Sequence, residues 1–124
     1  TFYKRLADTR DLAQVAAIEE ELSDRFGRLP PPASHLLALR RVKLAAAGAG
    51  ISQVDVGRRR VRFDFVRPPT KARIQAFLRR TAVKLEFGYG DPFSMTAREV
   101  GEGPLALALE VLEALGPADG EAPR

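Results

Sequence analysis

The chain has 124 residues, of which 45% are hydrophobic and 29% are charged, and its formal net charge is +4. This size and balance are typical of one globular domain and exclude a chain that is disordered throughout. There is no cysteine, which excludes disulfides, thiolate nucleophiles and zinc sites with sulfur ligands, and no apolar run approaches the roughly 20 residues of a membrane span.

The first half of the chain is predicted to be helical. Residues 1–6 already have a helical pattern and no initiator methionine, so we expect a piece of a larger cytoplasmic protein. From Asp11 to Phe26 apolar residues recur at steps of three or four, which predicts an amphipathic helix. We expect Asp8 or Thr9 to cap its start and Gly27 to adopt a left-handed conformation after its end. The stripe of this helix consists of Leu12, Val15, Ile18, Leu22 and Phe26.

A proline run separates this helix from the next one. Residues 30–32 are prolines, which predicts a stiff, extended linker. A second helix is expected from near Pro32 to Gly48 or Gly50, with most of its surface buried. Its basic residues are Arg40, Arg41 and Lys43, and the negative end of the helix dipole is sufficient to explain them.

The second half of the chain predicts a small sheet with two helices. After Gly50 apolar residues recur at every second position, which indicates two strands joined at Gly57, and a later hairpin turns at 88–92. Thr70 is predicted to cap a helix between these strand pairs, and Pro104 to open a last helix that ends before Gly116. The predicted inward residues of the two helices are Ile74, Phe77, Leu78, Leu105, Ala108, Leu109, Leu112 and Leu115.

This order predicts an α/β or α+β fold, with helices at the N-terminal side followed by a small, mostly antiparallel sheet and two further helices. We expect a single domain over residues 1–116 and a flexible tail over 117–124.

The motifs of common active sites are missing from the sequence. There is no GxxxxGK[ST] or GxGxxG motif, and the two GxG fragments, at 88–90 and 101–103, are typical of turns. His35 is the only histidine, and the acids at 19–21 are typical of a solvated helix face. We therefore predict a domain that is not an enzyme, with no catalytic residue, metal ligand or cofactor.

Two charged surfaces are candidates for binding. The first is the end of the helix at Asp11 to Phe26, where Glu21, Asp24 and Arg25 are predicted to point outward; the alternative is an ordinary Glu21–Arg25 pair within the helix. The second is the segment 58–80, which has nine basic residues and one acid. Arg58, Arg60 and Arg62 are candidates for phosphate contacts there, although one wet face of a small sheet explains them equally.

Several motifs in the first half of the chain resemble one family. They are Phe-Tyr-Lys-Arg-Leu-Ala at 2–7, Glu-Leu-x-Asp-Arg-Phe-Gly-x-Leu-Pro-x-Pro at 21–32, Leu36-Leu37 and Gly50-Ile51. Together they are similar to the C-terminal domain of the bacterial transcription-repair coupling factor.

The resemblance implies a module of a DNA-translocating ATPase whose motor domains lie outside this chain and which engages RNA polymerase, the repair protein UvrA and DNA. In that family the domain docks on the N-terminal region that binds UvrA and masks it until polymerase is engaged. Residues matching Glu21, Asp24 and Arg25 lie in the docking surface. The resemblance thus favours an autoinhibitory interdomain contact, and a nucleic-acid-binding module using segment 58–80 is the alternative.

Overall fold

The structure, a computed structural model, describes residues 2–98 and 103–118. Within these residues the chain forms five helices and a four-stranded antiparallel sheet, so the predicted α+β class is confirmed. It divides into two compact units, Thr1–Leu44 and Ala45–Arg124, with the boundary inside the third helix. The elements in order are α1 (Phe2–Ala7), α2 (Leu12–Phe26), α3 (Pro31–Gly48), β1 (Ile51–Val56), β2 (Arg60–Phe65), α4 (Lys71–Arg80), β3 (Leu85–Gly88), β4 (Ser94–Arg98) and α5 (Pro104–Leu115).

A small apolar core holds the three helices of the first unit. Leu6 of α1, Val15 and Ile18 of α2, and Leu37 of α3 form one cluster, and each is at most 7% exposed. Burying a side chain of this kind stabilises a fold by about 1.5–3 kcal/mol. The cluster therefore fixes which side of α2 faces inward. Partly buried side chains around it are Phe2, Leu22, Leu29, Leu36 and Leu44.

The predicted N-cap of α2 is wrong. Asp11 caps the helix, because its side chain accepts a hydrogen bond of 2.8 Å from the backbone N–H of Gln14. Thr9 is buried, and its hydroxyl donates to the carbonyl of Leu6 at 2.6 Å. The prediction failed because neighbouring polar residues have similar capping preferences, and burial of Thr9 selects among them.

The interpretation of the basic residues on α3 also changes. Arg40 donates from Nε to the hydroxyl of Thr9 at 2.9 Å and from Nη2 to the Thr9 carbonyl at 2.5 Å. Arg41 forms an ion pair with Glu19 of α2. Both arginines therefore link α3 to the preceding segment, and a helix-dipole interaction is not needed to explain them.

The linker before α3 is shorter than predicted. The helix begins at Pro31, next to the predicted start near Pro32, so two of the three prolines occupy its first positions, where no backbone N–H is required. Burial of α3 was overestimated, since Leu39 is 37% exposed. Gly27 has a φ of +75°, which confirms the predicted left-handed residue after α2.

The sheet of the second unit has the strand order β1-β2-β4-β3, with every neighbouring pair antiparallel. Both predicted strand pairs are confirmed. Side chains alternate along β2, where Val61, Phe63 and Phe65 are buried and Arg60 and Arg62 are exposed. Helix α5 packs on β1, β2, β4 and α4, so the buried side of β2 is the helix side and its arginines lie on the open side.

The inward faces of α4 and α5 differ from the predicted ones. Phe77 of α4 is buried as expected, but Leu78 is 47% exposed. On α5 the buried residues include Leu107 and Val111, whereas the predicted Leu105 and Leu109 are only half-buried. Because apolar residues surround most of α5, the pattern does not fix which side packs.

The predicted tail at 117–124 lies mostly outside the described residues, which end at Ala118. Thr1 and Gly101 also lie outside them.

Arg73 connects three elements of the second unit. Thr70 caps α4 as predicted, accepting from the backbone N–H of Arg73. The Arg73 side chain donates from Nη2 to the carbonyl of Ala49, just after α3, at 2.8 Å and to the carbonyl of Gly116, just after α5, at 2.7 Å. A cation is favourable there, because helix C-termini carry partial negative charge and unpaired carbonyls.

We expect Arg73→Met to lower the free energy of unfolding by about 1.5–3 kcal/mol, the cost typical of losing a hydrogen bond to a charged group. Chemical denaturation of the purified chain measures this change. The matched control is Lys71→Met on the exposed first turn of α4, which should alter stability by no more than about 0.5 kcal/mol. Equal losses in the two variants would contradict the connecting role of Arg73.

Candidate functional site

The end of α2 is the first candidate site, and the core of the first unit places it in solvent. Val15 and Ile18, the buried residues of α2, lie in the first half of the helix, and the last turn extends past them. Asp24, Arg25 and Phe26 in that turn are all exposed. We call these three residues the α2-end surface.

Glu21 is held by a residue of another helix. Its carboxylate accepts two hydrogen bonds from Arg5 of α1, with Nη1–Oε2 at 2.7 Å and Nη2–Oε1 at 2.8 Å. The ion pair expected within α2, between Glu21 and Arg25, is therefore not the principal interaction of this carboxylate. Sequence reasoning missed Arg5 because pairing between helices depends on how α1 and α2 pack.

The Arg5 guanidinium lowers the pKa of Glu21, first through the hydrogen bonds and then through its charge. Partial burial opposes this effect slightly, and the charge of Arg25 adds a smaller lowering. Glu21 is thus kept ionised and anchored one turn before the α2-end surface.

Arg25 and Phe26 lie against each other. The guanidinium carbon of Arg25 is 5.7 Å from the centroid of the Phe26 ring, within the range of a cation–π contact. Phe26 is 69% exposed, so its predicted place in the apolar stripe is wrong. The chain turns at Gly27, and Leu29, not Phe26, packs against the core.

Asp24 is the acid of the α2-end surface. Among the residues that the structure describes, it forms no ion pair or hydrogen bond through its side chain. The surface therefore presents a free carboxylate, an exposed guanidinium and an exposed aromatic ring within three consecutive residues, a combination suited to contacting another protein.

The basic segment 58–80 does not form one continuous surface. Arg58 lies in the turn between β1 and β2, Arg60 and Arg62 lie on the open side of the sheet, and Arg73 is used inside the fold. Arg62 donates from Nε to Asp64 at 2.8 Å, so its charge is compensated locally. Of the three predicted phosphate contacts, Arg58 and Arg60 remain without an ion-pair partner within the described ranges.

Residues 2–98 and 103–118 contain neither a candidate metal-binding cluster nor a candidate membrane-spanning helix. No group of three or more His, Asp or Glu side chains in those residues is placed to hold a metal ion. None of the helices there is both long enough and apolar enough to cross a membrane. His35 is exposed on the first turns of α3.

We expect Arg5→Gln to raise the pKa of Glu21 toward its ordinary value, because the hydrogen bonds from Arg5 are the largest cause of the lowering. Because the pKa of Glu21 is lower in the folded state than in the unfolded state, the Arg5–Glu21 pair stabilises the fold fully at pH values above the unfolded-state pKa. This stabilisation is lost as the pH falls through the folded-state pKa. An NMR titration of the side-chain carboxyl carbon measures the shift. Arg25→Gln is the control and should raise the pKa less; a larger rise in that variant would reverse the assignment.

Comparisons with known proteins place these observations in a family. The family model described as the TRCF domain matches residues 1–76. The transcription-repair-coupling factor of Mycobacterium bovis is 46% identical over 52 residues, covering 42% of this chain and 4% of that protein. The factor of Escherichia coli is 40% identical over 55 residues, covering 44% of this chain and 5% of that protein. The chain thus spans only a small part of the length of these relatives.

The fold is also similar to a solved one. A crystal structure of the C-terminal domain of transcription-repair coupling factor superposes with a TM-score of 0.74, covering 98% of this chain and 81% of that one, at 19% sequence identity. At this identity the likeness shows the fold alone. The family match over residues 1–76 includes α1, α2, α3 and the whole α2-end surface. The chain therefore belongs to the TRCF domain family.

Proposed function

We propose that the chain is the regulatory C-terminal module of a longer, cytoplasmic transcription-repair coupling protein. In this proposal the α2-end surface docks on the UvrA-binding N-terminal region of the same protein and masks that region until RNA polymerase is engaged. The observation that carries the proposal is the exposure of Asp24, Arg25 and Phe26 within a motif that resembles the family's docking motif. The names of the relatives, which are transcription-repair-coupling factors, support the proposed parent protein.

The chemistry of the α2-end surface suits a contact that must form and release. Arg25 can donate a charge-assisted pair of hydrogen bonds to a carboxylate, and Asp24 can accept from a basic residue. Opposite charges on two neighbouring residues contribute more to the orientation and specificity of the docking contact than to its net affinity. Phe26 adds apolar area at low conformational cost, since the ring has only two side-chain torsions. A small contact of this composition resembles interfaces between domains that separate.

Glu21 has a different role in this proposal. Both of its oxygens accept hydrogen bonds from Arg5, so it is a positioning residue that holds the last turns of α2. A docking partner would reach it only by adding to this pair or by displacing Arg5. Asp24 and Arg25 are therefore the residues through which we expect charge complementarity to act.

The chain is a domain of a family member and not a motor domain, and we propose that it has no catalytic activity of its own. The ATPase and translocase activities would belong to other domains of the parent protein. DNA and RNA polymerase would likewise be partners of the parent protein in this proposal.

Reversing both charges of the surface, Asp24→Arg with Arg25→Glu, should increase UvrA binding by the full-length protein in the absence of polymerase. The expected cause is loss of the masking contact, since like charges would then face each other across it. Pull-down with purified UvrA measures the change, and thermal unfolding checks that the domain is intact. The matched control is Arg10→Glu, an exposed reversal just before the other end of α2. UvrA binding that stays at the level of the unaltered protein, in a folded variant, would refute the docking role.

Truncation of Phe26 tests the apolar part of the same surface. We expect Phe26→Ala to weaken binding of this chain to the separately purified N-terminal region by about 2 kcal/mol, as for an aromatic at the centre of an interface. Because the ring is exposed, domain stability should change by no more than about 0.5 kcal/mol. Isothermal titration calorimetry measures the binding. Tyr3→Ala, at another exposed aromatic, is the control, and equal losses would show that Phe26 has no special role.

A further inference from the structure

A second charged surface lies on the open side of the sheet, at the end where β2 begins. Arg58 and Arg59 are exposed in the turn that joins β1 to β2, and Arg60 is exposed at the first position of β2. Arg98, the last residue of β4, is the direct cross-strand partner of Arg60. We call these four residues the arginine corner.

The cross-strand pair at the arginine corner brings like charges together. Directly opposite residues of antiparallel strands have Cβ atoms about 4.5–5.5 Å apart, and like charges in such a pair destabilise a sheet. Arg98 forms a long ion pair with Glu86 of β3, with 3.7 Å between Nη2 of Arg98 and Oε2 of Glu86. Arg60 has no ion-pair partner in the part of the chain that the structure describes. An anion between the two guanidinium groups would relieve this repulsion.

A recess adjoins the corner on the same side of the sheet. It has a volume of about 300 Å³ and is lined by Asp55, Gly57, Arg60, Arg62 and Thr96. Thr96 and Asp55 are the cross-strand partners of Arg62, so the recess is a row of polar side chains across three strands. Arg62 is already bonded to Asp64 and faces Asp55 across the strands, which leaves Arg60 as the uncompensated cation of the recess.

The composition of the corner favours phosphate over a protein partner. Protein interfaces use arginine together with aromatic residues, and their centres are depleted of charge, whereas the arginine corner has four guanidinium groups and no aromatic residue. The nearest exposed apolar residue along the chain, Val56, is paired with buried Val61 and so lies on the helix side of the sheet. Arginine, in contrast, is well suited to phosphate, because its planar fork donates to two oxygens at once.

The same face argues against single-stranded nucleic acid. Binding of single strands uses aromatic rings on which bases stack. The aromatic residues of β2, Phe63 and Phe65, are buried on the helix side of the sheet. The arginine corner offers guanidinium groups and none of its four residues is aromatic, so it can contact a duplex through the phosphate backbone without reading the bases.

We propose that the arginine corner binds the phosphate backbone of duplex DNA without sequence specificity, with Arg58, Arg59, Arg60 and Arg98 as the contacting residues. The proposal does not rest on the docking function of the α2-end surface. The proposal leaves out two other arginines of the basic segment. Arg62 forms an ion pair with Asp64, and Arg73 donates hydrogen bonds to the backbone carbonyls of Ala49 and Gly116.

The test measures fluorescence anisotropy of a labelled DNA duplex as the 124-residue chain is added, between about 50 and 200 mM salt. We expect the logarithm of the association constant to fall linearly with the logarithm of the salt concentration. The double variant Arg58→Gln with Arg60→Gln should make this slope less steep by about 1.8, which is about 0.9 for each of two phosphates that are no longer neutralised. The control is Arg67→Gln with Lys71→Gln, two positions that lie beyond the opposite end of β2, which lowers the net charge of the chain by the same amount, from +4 to +2. This variant should retain the original slope.

Three results would overturn the proposal. One is the absence of duplex binding at the lowest salt concentration. Another is an equal fall in slope for the two double variants, which would show that net charge alone attracts the duplex. The third is displacement of the duplex by a polyglutamate peptide at equal charge concentration, which would assign the corner to acidic protein segments. Circular dichroism melting of each variant confirms that the sheet is intact.

Discussion

The burial of Val15 and Ile18 against Leu6 and Leu37 is the interaction on which the first unit depends. These four buried side chains form one core cluster to which all three helices contribute, so α2 has little freedom to rotate about its axis. Once that rotation is fixed, the last turn of α2 extends beyond the core, and its polar residues meet solvent. Arg5 and Arg41 then hold α2 from α1 and α3 through Glu21 and Glu19, which keeps the last turns of the helix in a defined orientation.

The alternation of side chains along β2 imposes a comparable constraint on the second unit. Val61, Phe63 and Phe65 are required on the helix side, where α5 packs, so Arg60 and Arg62 cannot avoid the open side. The register with β4 then decides their surroundings, setting Arg60 opposite Arg98 and Arg62 opposite Thr96. The two arginines are two positions apart on one strand, yet one is compensated by Asp64 and the other is not. Local charge pairing, more than the total charge of a segment, therefore distinguishes a structural arginine from one available to a ligand.

Most of the secondary structure could be predicted, because the relevant signals are local. The period of 3.6 in α2, the period of two in β2, the cap at Thr70 and the left-handed Gly27 each depend on a few neighbouring residues. Errors occurred where several residues fitted the same local role. Three residues of a type that caps helices, Asp8, Thr9 and Asp11, precede α2, and Asp11 is its cap, whereas Thr9 is buried. Apolar residues surround most of α5, and packing on the sheet selected Leu107 and Val111 instead of Leu105 and Leu109.

The sequence by itself determined the α+β class, the order of elements and, through the motif at 21–32, the family. It also determined that Asp24 and Arg25 are exposed, since a helix that buries one stripe leaves its other residues in solvent. Only the tertiary structure decided which charges are free. Arg5 lies 16 residues before Glu21, and Arg98 lies 38 residues after Arg60, so neither relationship is visible in a local pattern. Charge interactions depend on distance in space, and packing of helices and register of strands set that distance.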